Sequence, residues 1–156
     1  MPKHAFHISM TWTGNLGSGT SAYDTYERSH EYHAEGKPVI QGSSAPEYRG
    51  DASRYNPEEL LLASVSSCHM LWYLHLCAEA GVIVKSYTDT ASGELKLYPN
   101  GSGEFSGIEL NPVVTIDAVS DERLARSLHH DANRMCFIAR SLRCDVEHRP
   151  EIRPEG

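Results

Sequence analysis

The sequence predicts an α+β fold. Residues 56–81, NPEELLLASVSSCHMLWYLHLCAEAG, carry the start, the stop and the composition of one long helix. Short stretches of alternating or β-branched residues flank it on both sides, and a second helical pattern with one more extended stretch closes the chain. Strands, a central helix, strands, a helix and a strand form an α+β order, expected here as an antiparallel sheet wrapped around the central helix within a single domain, residues 1–156.

The central helix has clear punctuation. Asn56 suits the N-cap, Pro57 the first helical position, and Glu59 closes a capping box with Asn56. Gly81 suits the left-handed residue that ends a helix. No Asp, Glu, Lys or Arg falls between Leu60 and Cys77. Leucines and aromatics occur all round, the pattern of a buried helix. With its Ser and His residues the stretch reads as the spine of a soluble fold rather than a membrane span.

The other elements follow in order. In residues 4–12, HAFHISMTW, Phe6, Ile8, Met10 and Trp12 share one face, as in a half-buried strand. TGNLGSGT supplies turn residues. Residues 22–33, Tyr-rich and charged, read as an exposed or edge strand, and Pro38-Val39-Ile40 starts another. Residues 42–55 are irregular and carry Arg49 and Arg54. Beyond Gly81, Val82, Ile83 and Val84 begin a strand. Leu95 and Leu97 alternate with polar neighbours before the hairpin signal Pro99-Asn100-Gly101. Phe105, Ile108 and Leu110 return, and Val113 to Val119 is β-branched. Ser120 is expected to cap a helix over residues 121–134, with Leu124 and Leu128 on its apolar face. Cys136 sits at its end, FIARSL forms a short turn, Cys144-Asp-Val-Glu-His a last strand, and RPEIRPEG a loose tail.

A net charge of -7 and a pI of about 5.7 give no reason to expect nucleic acid or an anionic membrane as partner. The first 30 residues hold no apolar signal run, so the cytoplasm is the expected compartment. Four cysteines in 156 residues do not make a disulfide scaffold; in a reducing compartment they are buried, metal-bound or reactive. His69, His75, His129 and His130 lie on helices, but there is no HExxH and no CxxC, so no metal is expected. GxSxG, P-loop and dinucleotide motifs are also missing, and no cofactor is expected. A cysteine in an apolar helix is more often a small core residue. Cys77 fits that role. It is nine residues beyond Cys68 and therefore on the opposite side of the helix.

NPEELLLASVSSC, with a second cysteine in NRMCFIARSL and the opening TWTGNLGSGT, resembles the OsmC/Ohr family of thiol-dependent hydroperoxide reductases. The resemblance implies an OsmC-like fold built as an intertwined homodimer, with active sites at the dimer interface. It implies that Cys68 is the peroxidatic cysteine, Cys136 the resolving cysteine and Glu58 the family's glutamate. It also implies an arginine paired with the thiolate and that glutamate; Arg49 is the first choice and Arg54 the second. Family members typically carry an aromatic directly after the first cysteine, where this chain has His69, and several carry Pro after the second, where it has Phe137. These departures suggest a branch with a bulkier, more polar pocket.

The chemistry explains the residue types. A thiol attacks an O–O bond poorly and a thiolate well. Lowering a cysteine pKa by about two units takes roughly 2.7 kcal/mol of differential stabilisation, which a desolvated arginine can supply. The Cys68 sulfenic acid then condenses with Cys136 to a disulfide, which a dithiol or redox protein reduces. Glu58 and Cys68 are about 15 Å apart along one helix. So either the Glu58 of a second chain serves each Cys68, or the helix is broken between them. The alternative function is a non-catalytic OsmC-like module that binds a small hydrophobic ligand at the dimer interface.

Overall fold

The central helix, α1, runs unbroken from Pro57–Ala80 in the computed structural model, which describes residues Met1–Gly156. Its first turn is closed by a reciprocal capping box. The Glu59 amide donates to Asn56 Oδ1 at 2.8 Å, and the Asn56 amide donates to Glu59 Oε1 at 3.2 Å. Gly81 ends it at φ +77°, a conformation that costs a residue with a Cβ. The chain divides into two compact units, Met1–Leu60 and Leu61–Gly156.

In the first unit, β1 (Ser9–Trp12), β2 (His30–His33) and β3 (Ile40–Gly42) form an antiparallel sheet in the order β1-β2-β3. Two expectations change here. The Tyr-rich segment contributes the central strand, not an edge, because both neighbours pair with His30–His33. The strand expected over residues 4–12 is confined to Ser9–Trp12 and is exposed; Phe6, Ile8, Met10 and Trp12 all lie open to solvent. Alternation marks an apolar face but does not say what covers it. A 3-10 turn, Pro46–Tyr48, breaks the irregular stretch that follows.

The second unit holds two mixed sheets. β4 (Val84–Asp89), β7 (Pro112–Ile116) and β9 (Glu151–Pro154) form one, in the order β4-β7-β9. β5 (Ser92–Leu97), β6 (Gly103–Leu110) and β8 (Val146–His148) form the other. β4/β7 and β5/β6 are antiparallel, with Gly101 at φ +86° in the β5–β6 turn. β6/β8 and β7/β9 are parallel, so the sheets are not purely antiparallel as expected. Both parallel strands return after the second helix, and that crossover brings them back in the same direction. The tail is therefore a strand, with Ile152 buried and Pro154 at the end of an edge strand, where its missing N–H is tolerated.

The second helix, α2 (Glu122–Met135), leads into a one-turn helix, α3 (Phe137–Arg140). Asp121 caps α2 instead of Ser120, its side chain accepting from the Leu124 amide at 3.1 Å. Ser120 Oγ is used elsewhere, accepting from the Ile83 amide at 2.9 Å.

α1 is buried along one stripe only: Val65, His69, Tyr73 and Cys77. The rest of its apolar surface stays half-buried or open, with Leu71 62% exposed. A helix apolar all round was expected to be covered on every side. By length and composition it is also the one helix here that is long and apolar enough to cross a membrane.

Candidate active site

α1 and α2 meet along a seam with a simple sequence logic. On α2 the buried residues Ala125, His129, Ala132 and Cys136 recur at intervals of four, three and four, which keeps them on one side of the helix. The two alanines leave room for side chains from α1. On α1 the stripe residues fall four apart.

Three rungs cross this seam. Tyr73 Oη donates to the Ala125 carbonyl at 2.9 Å. His69 Nε2 and His129 Nδ1 are hydrogen-bonded at 3.0 Å, one ring donating and the other accepting. Cys136 lies close enough to Cys68 for the two thiols to affect each other electrostatically. The structure thus brings together two sulfurs that are far apart in sequence. Cys136 ends α2 and caps α3, and its Sγ accepts from the Ala139 amide at 3.4 Å. It is fully buried, Cys68 is half-buried, and all four cysteines are free thiols. Burial pushes the Cys136 thiol up to about 11; the Ala139 amide offsets part of this, and the neighbouring Cys68 thiol adds to the rise.

The histidine rung is sealed. His69 and His129 are 0% exposed and nearly coplanar, with 7° between their rings. The His129 ring stacks on Tyr73 at 3.8 Å, and the His148 ring from β8 tilts over His69 at 5.7 Å. Desolvation holds His69 down at about 4, with His148 adding to the effect. It holds His129 down at about 3, reinforced by His69, His148 and Arg126. Both imidazoles are therefore neutral at pH 7. His69 Nδ1, His129 Nε2, His148 Nδ1 and Tyr87 Oη are buried without a protein partner.

His69 turns into the seam and pairs with His129. Phe137 is 67% exposed and packs edge-on against Trp72 at 5.6 Å. Cys77 is a core residue, as its spacing implied, and burial pushes its thiol up. His75 is exposed and faces Glu79 at 3.5 Å. The histidine pairing was not foreseen. The shared α2 stripe of His129 and Cys136 was the available signal.

The remaining candidates lie in or near the first unit. Arg54 is engaged: Nη1 donates to the His30 carbonyl at 3.3 Å, and Nε lies 3.8 Å from Asp51 Oδ2. Arg49 is exposed, adopts φ +64° at the end of the 3-10 turn, and holds its guanidinium 6.0 Å from the Tyr23 ring centre. It forms no ion pair within its chain. Glu58, in the first turn of α1, has a buried Oε2 with no hydrogen-bond partner. α1 is continuous from Glu58 to Cys68, so the broken-helix alternative falls.

An open cleft of about 710 Å³ lies beside the end of α2, lined by residues that include Asn133, Arg134, Arg140, Arg143 and Cys144. Arg143 pairs with Glu104 at 2.9 Å and Arg134 with Asp131 at 3.4 Å, so most of its positive charge is already matched.

A family model described as OsmC-like protein matches residues 50–151, and the chain belongs to that family. Solved structures agree. An OsmC-like protein of unknown function from Vibrio cholerae is 29% identical, with a TM-score of 0.83 over 96% of this chain and 99% of that one. An organic hydroperoxide resistance protein from Elizabethkingia anophelis is 20% identical, with a TM-score of 0.68 over 99% and 100% of the two chains. An organic hydroperoxide resistance protein OsmC from Legionella pneumophila is 15% identical, with a TM-score of 0.69 over 98% and 99%. The last two likenesses show the fold alone. No curated protein matches the chain.

Proposed function

We propose that the protein is a cysteine-based peroxidase that reduces organic hydroperoxides or hydrogen peroxide. The observation that carries this reading is the proximity of a half-buried Cys68 to a buried Cys136, both free thiols. Family membership and the fold shared with two organic hydroperoxide resistance proteins support it. The Cys68 thiolate attacks the peroxide, releases alcohol or water and becomes a sulfenic acid. Cys136 displaces water to form the disulfide, and an external dithiol, small molecule or redox protein, returns both thiols.

The working unit is a homodimer. The open apolar surfaces around Phe6, Ile8, Leu71 and Phe137 favour a second copy as their cover. The unpartnered Glu58 carboxylate and the unpaired Arg49 supply, from the other subunit, the charge pair that ionises Cys68. This assignment prefers Arg49 over Arg54, whose guanidinium is already held by Asp51 and the His30 carbonyl. A reducing compartment such as the cytoplasm suits four free thiols.

Peroxide consumption in the presence of dithiothreitol tests the reading. Wild type turns over and Cys68→Ser does not. Equal activity of the two, or none in either, excludes the enzyme and leaves a non-catalytic binding module. A monomeric variant that kept full turnover would exclude the shared site.

A further inference from the structure

The seam assigns a task to the buried histidines that peroxide chemistry leaves unused. We propose that the His69–His129 hydrogen bond is a positioning clamp, which holds α2 on α1 so that Cys136 stays against Cys68 and which lets go when both imidazoles take up protons. The inference rests on the two-thiol reading above, and its test needs no peroxide.

The geometry carries it. Cys68 and His69 are consecutive on α1, while His129 and Cys136 are two turns apart on one stripe of α2. Any slide or tilt of α2 that parts the imidazoles also moves Cys136. Cys136 is the last residue tied to α2, through its amide to the Ala132 carbonyl at 2.9 Å. Resolution of a mixed or sulfenic species depends steeply on such placement, since a displacement near 1 Å can change a rate about a hundredfold.

The bond needs one imidazole as donor and the other as acceptor, so it exists only while at least one ring is neutral. Two imidazoliums repel. The groups that face the pair are His148 from β8, Tyr73 on α1, Tyr87 and Asp89 from β4, and Arg126 on α2, with His130 bearing on His148. Asp89 is the one acid among them. It is already engaged by Ser66 Oγ at 2.5 Å and the Asn111 amide at 2.7 Å. No carboxylate is therefore free to stabilise a doubly charged pair.

The test uses 4,4′-dithiodipyridine, which reacts with thiols in mildly acidic solution. Cys68–SH attacks its disulfide, forming Cys68–S–S–pyridyl and releasing one thiopyridone. Cys136–SH then attacks the Cys68 sulfur, forming the Cys68–Cys136 disulfide and releasing a second thiopyridone. Peptide mapping assigns the bonds. The rate of the second release reads the placement of Cys136 directly. H129L is expected to slow it at least about tenfold. H69Q/H129N places amide groups where Nε2 and Nδ1 stand, keeps a hydrogen bond without a titrating ring, and is expected within about threefold of wild type. H129L resolving as fast as wild type, or the amide pair resolving as slowly as H129L, would overturn the proposal. Should H129L not fold, the pH dependence decides. The wild-type rate divided by that of H69Q/H129N is expected to hold from pH 6 to pH 4 and to fall about twofold by pH 3, where both rings become charged. A flat ratio overturns the release on protonation. Second release at normal rate in a protein without peroxidase activity would separate failure of the enzyme reading from failure of the clamp.

Discussion

Two pairs of titratable side chains cross the same seam, one residue apart on α1, and they end up chemically opposite. At the thiol rung one member, Cys68, keeps partial contact with solvent, while Cys136 is dry. At the histidine rung both members are dry, and His129 stacks on Tyr73. Burial raises the Cys136 thiol and lowers both histidines, so each buried group is held in its neutral form. Cys68 is the only member of either pair that keeps contact with solvent. The difference between the rungs lies in solvation, since both are built from the same two helices.

The largest effect should come from removing that one exposed member. Cys68→Ser is expected to lower peroxide turnover by at least about a hundredfold, because a hydroxyl has neither the acidity nor the softness of a thiol. Cys136→Ser breaks the comparison differently. It should allow one turnover and leave a Cys68 sulfenic acid that a dimedone-type reagent labels, detected by mass spectrometry. Sustained wild-type turnover in Cys136→Ser with no labelling would show that the buried thiol plays no part.

The histidine rung should govern acid stability. An unfolded histidine titrates near 6.5, whereas His69 and His129 are held near 4 and 3 in the folded chain. Below pH 6.5 the unfolded state binds protons that the folded state refuses, so stability is complete above that pH. It falls as the pH drops towards the folded values. Each neutral histidine contributes a slope of about 1.4 kcal/mol per pH unit in this window. Urea midpoints should drop by the equivalent of about 3 kcal/mol from pH 6.5 to pH 5, beyond the loss seen in H69Q/H129N. Parallel curves for the two proteins would mean that the pair is already solvated.

What could be read from the chain follows the same division between local and non-local causes. The Asn56–Glu59 box and the Gly81 stop are local, and they set α1 to within a residue. The cap of α2 lies one position from the expected Ser120 because Ser120 and Asp121 are both good caps. The choice between them was made by a distant amide, that of Ile83. RPEIRPEG looked loose because of its two prolines, but Ile152 has a buried place beside β7 that no local pattern announces. Cys68 and Cys136 were singled out by family resemblance, not by spacing. The histidine rung was invisible because its two halves lie on different helices, and only the α2 stripe shared with Cys136 hinted at it. The alternation of Phe6, Ile8, Met10 and Trp12 was legible as a pattern and silent about its cover.

A smaller effect should come from the third rung. Tyr73→Phe removes the hydrogen bond to the Ala125 carbonyl and keeps the ring that stacks on His129. The expected cost is about 1–2 kcal/mol, a fall of roughly 3–6 °C in Tm. Because the imidazole pair is untouched, the acid slope should stay as in wild type. A flattened slope would show that the histidines depend on the tyrosine hydroxyl for their burial.

The smallest effect belongs to the cysteine that shares the histidine side of α1. Cys77 is 1% exposed and lies in the apolar cluster with Tyr73, Val82 and Val114. Burial pushes its thiol up. It should resist iodoacetamide in the native protein while Cys68 reacts, with Cys144, half-buried, in between. Cys77→Ala leaves a void of one sulfur atom and should cost about 1 kcal/mol, read as a small loss in Tm, with peroxide turnover unchanged. A marked loss of turnover at unchanged Tm would mean that Cys77 exchanges with the thiol rung. The contrast between a reactive and an inert side of α1 would then have to be redrawn around three sulfurs.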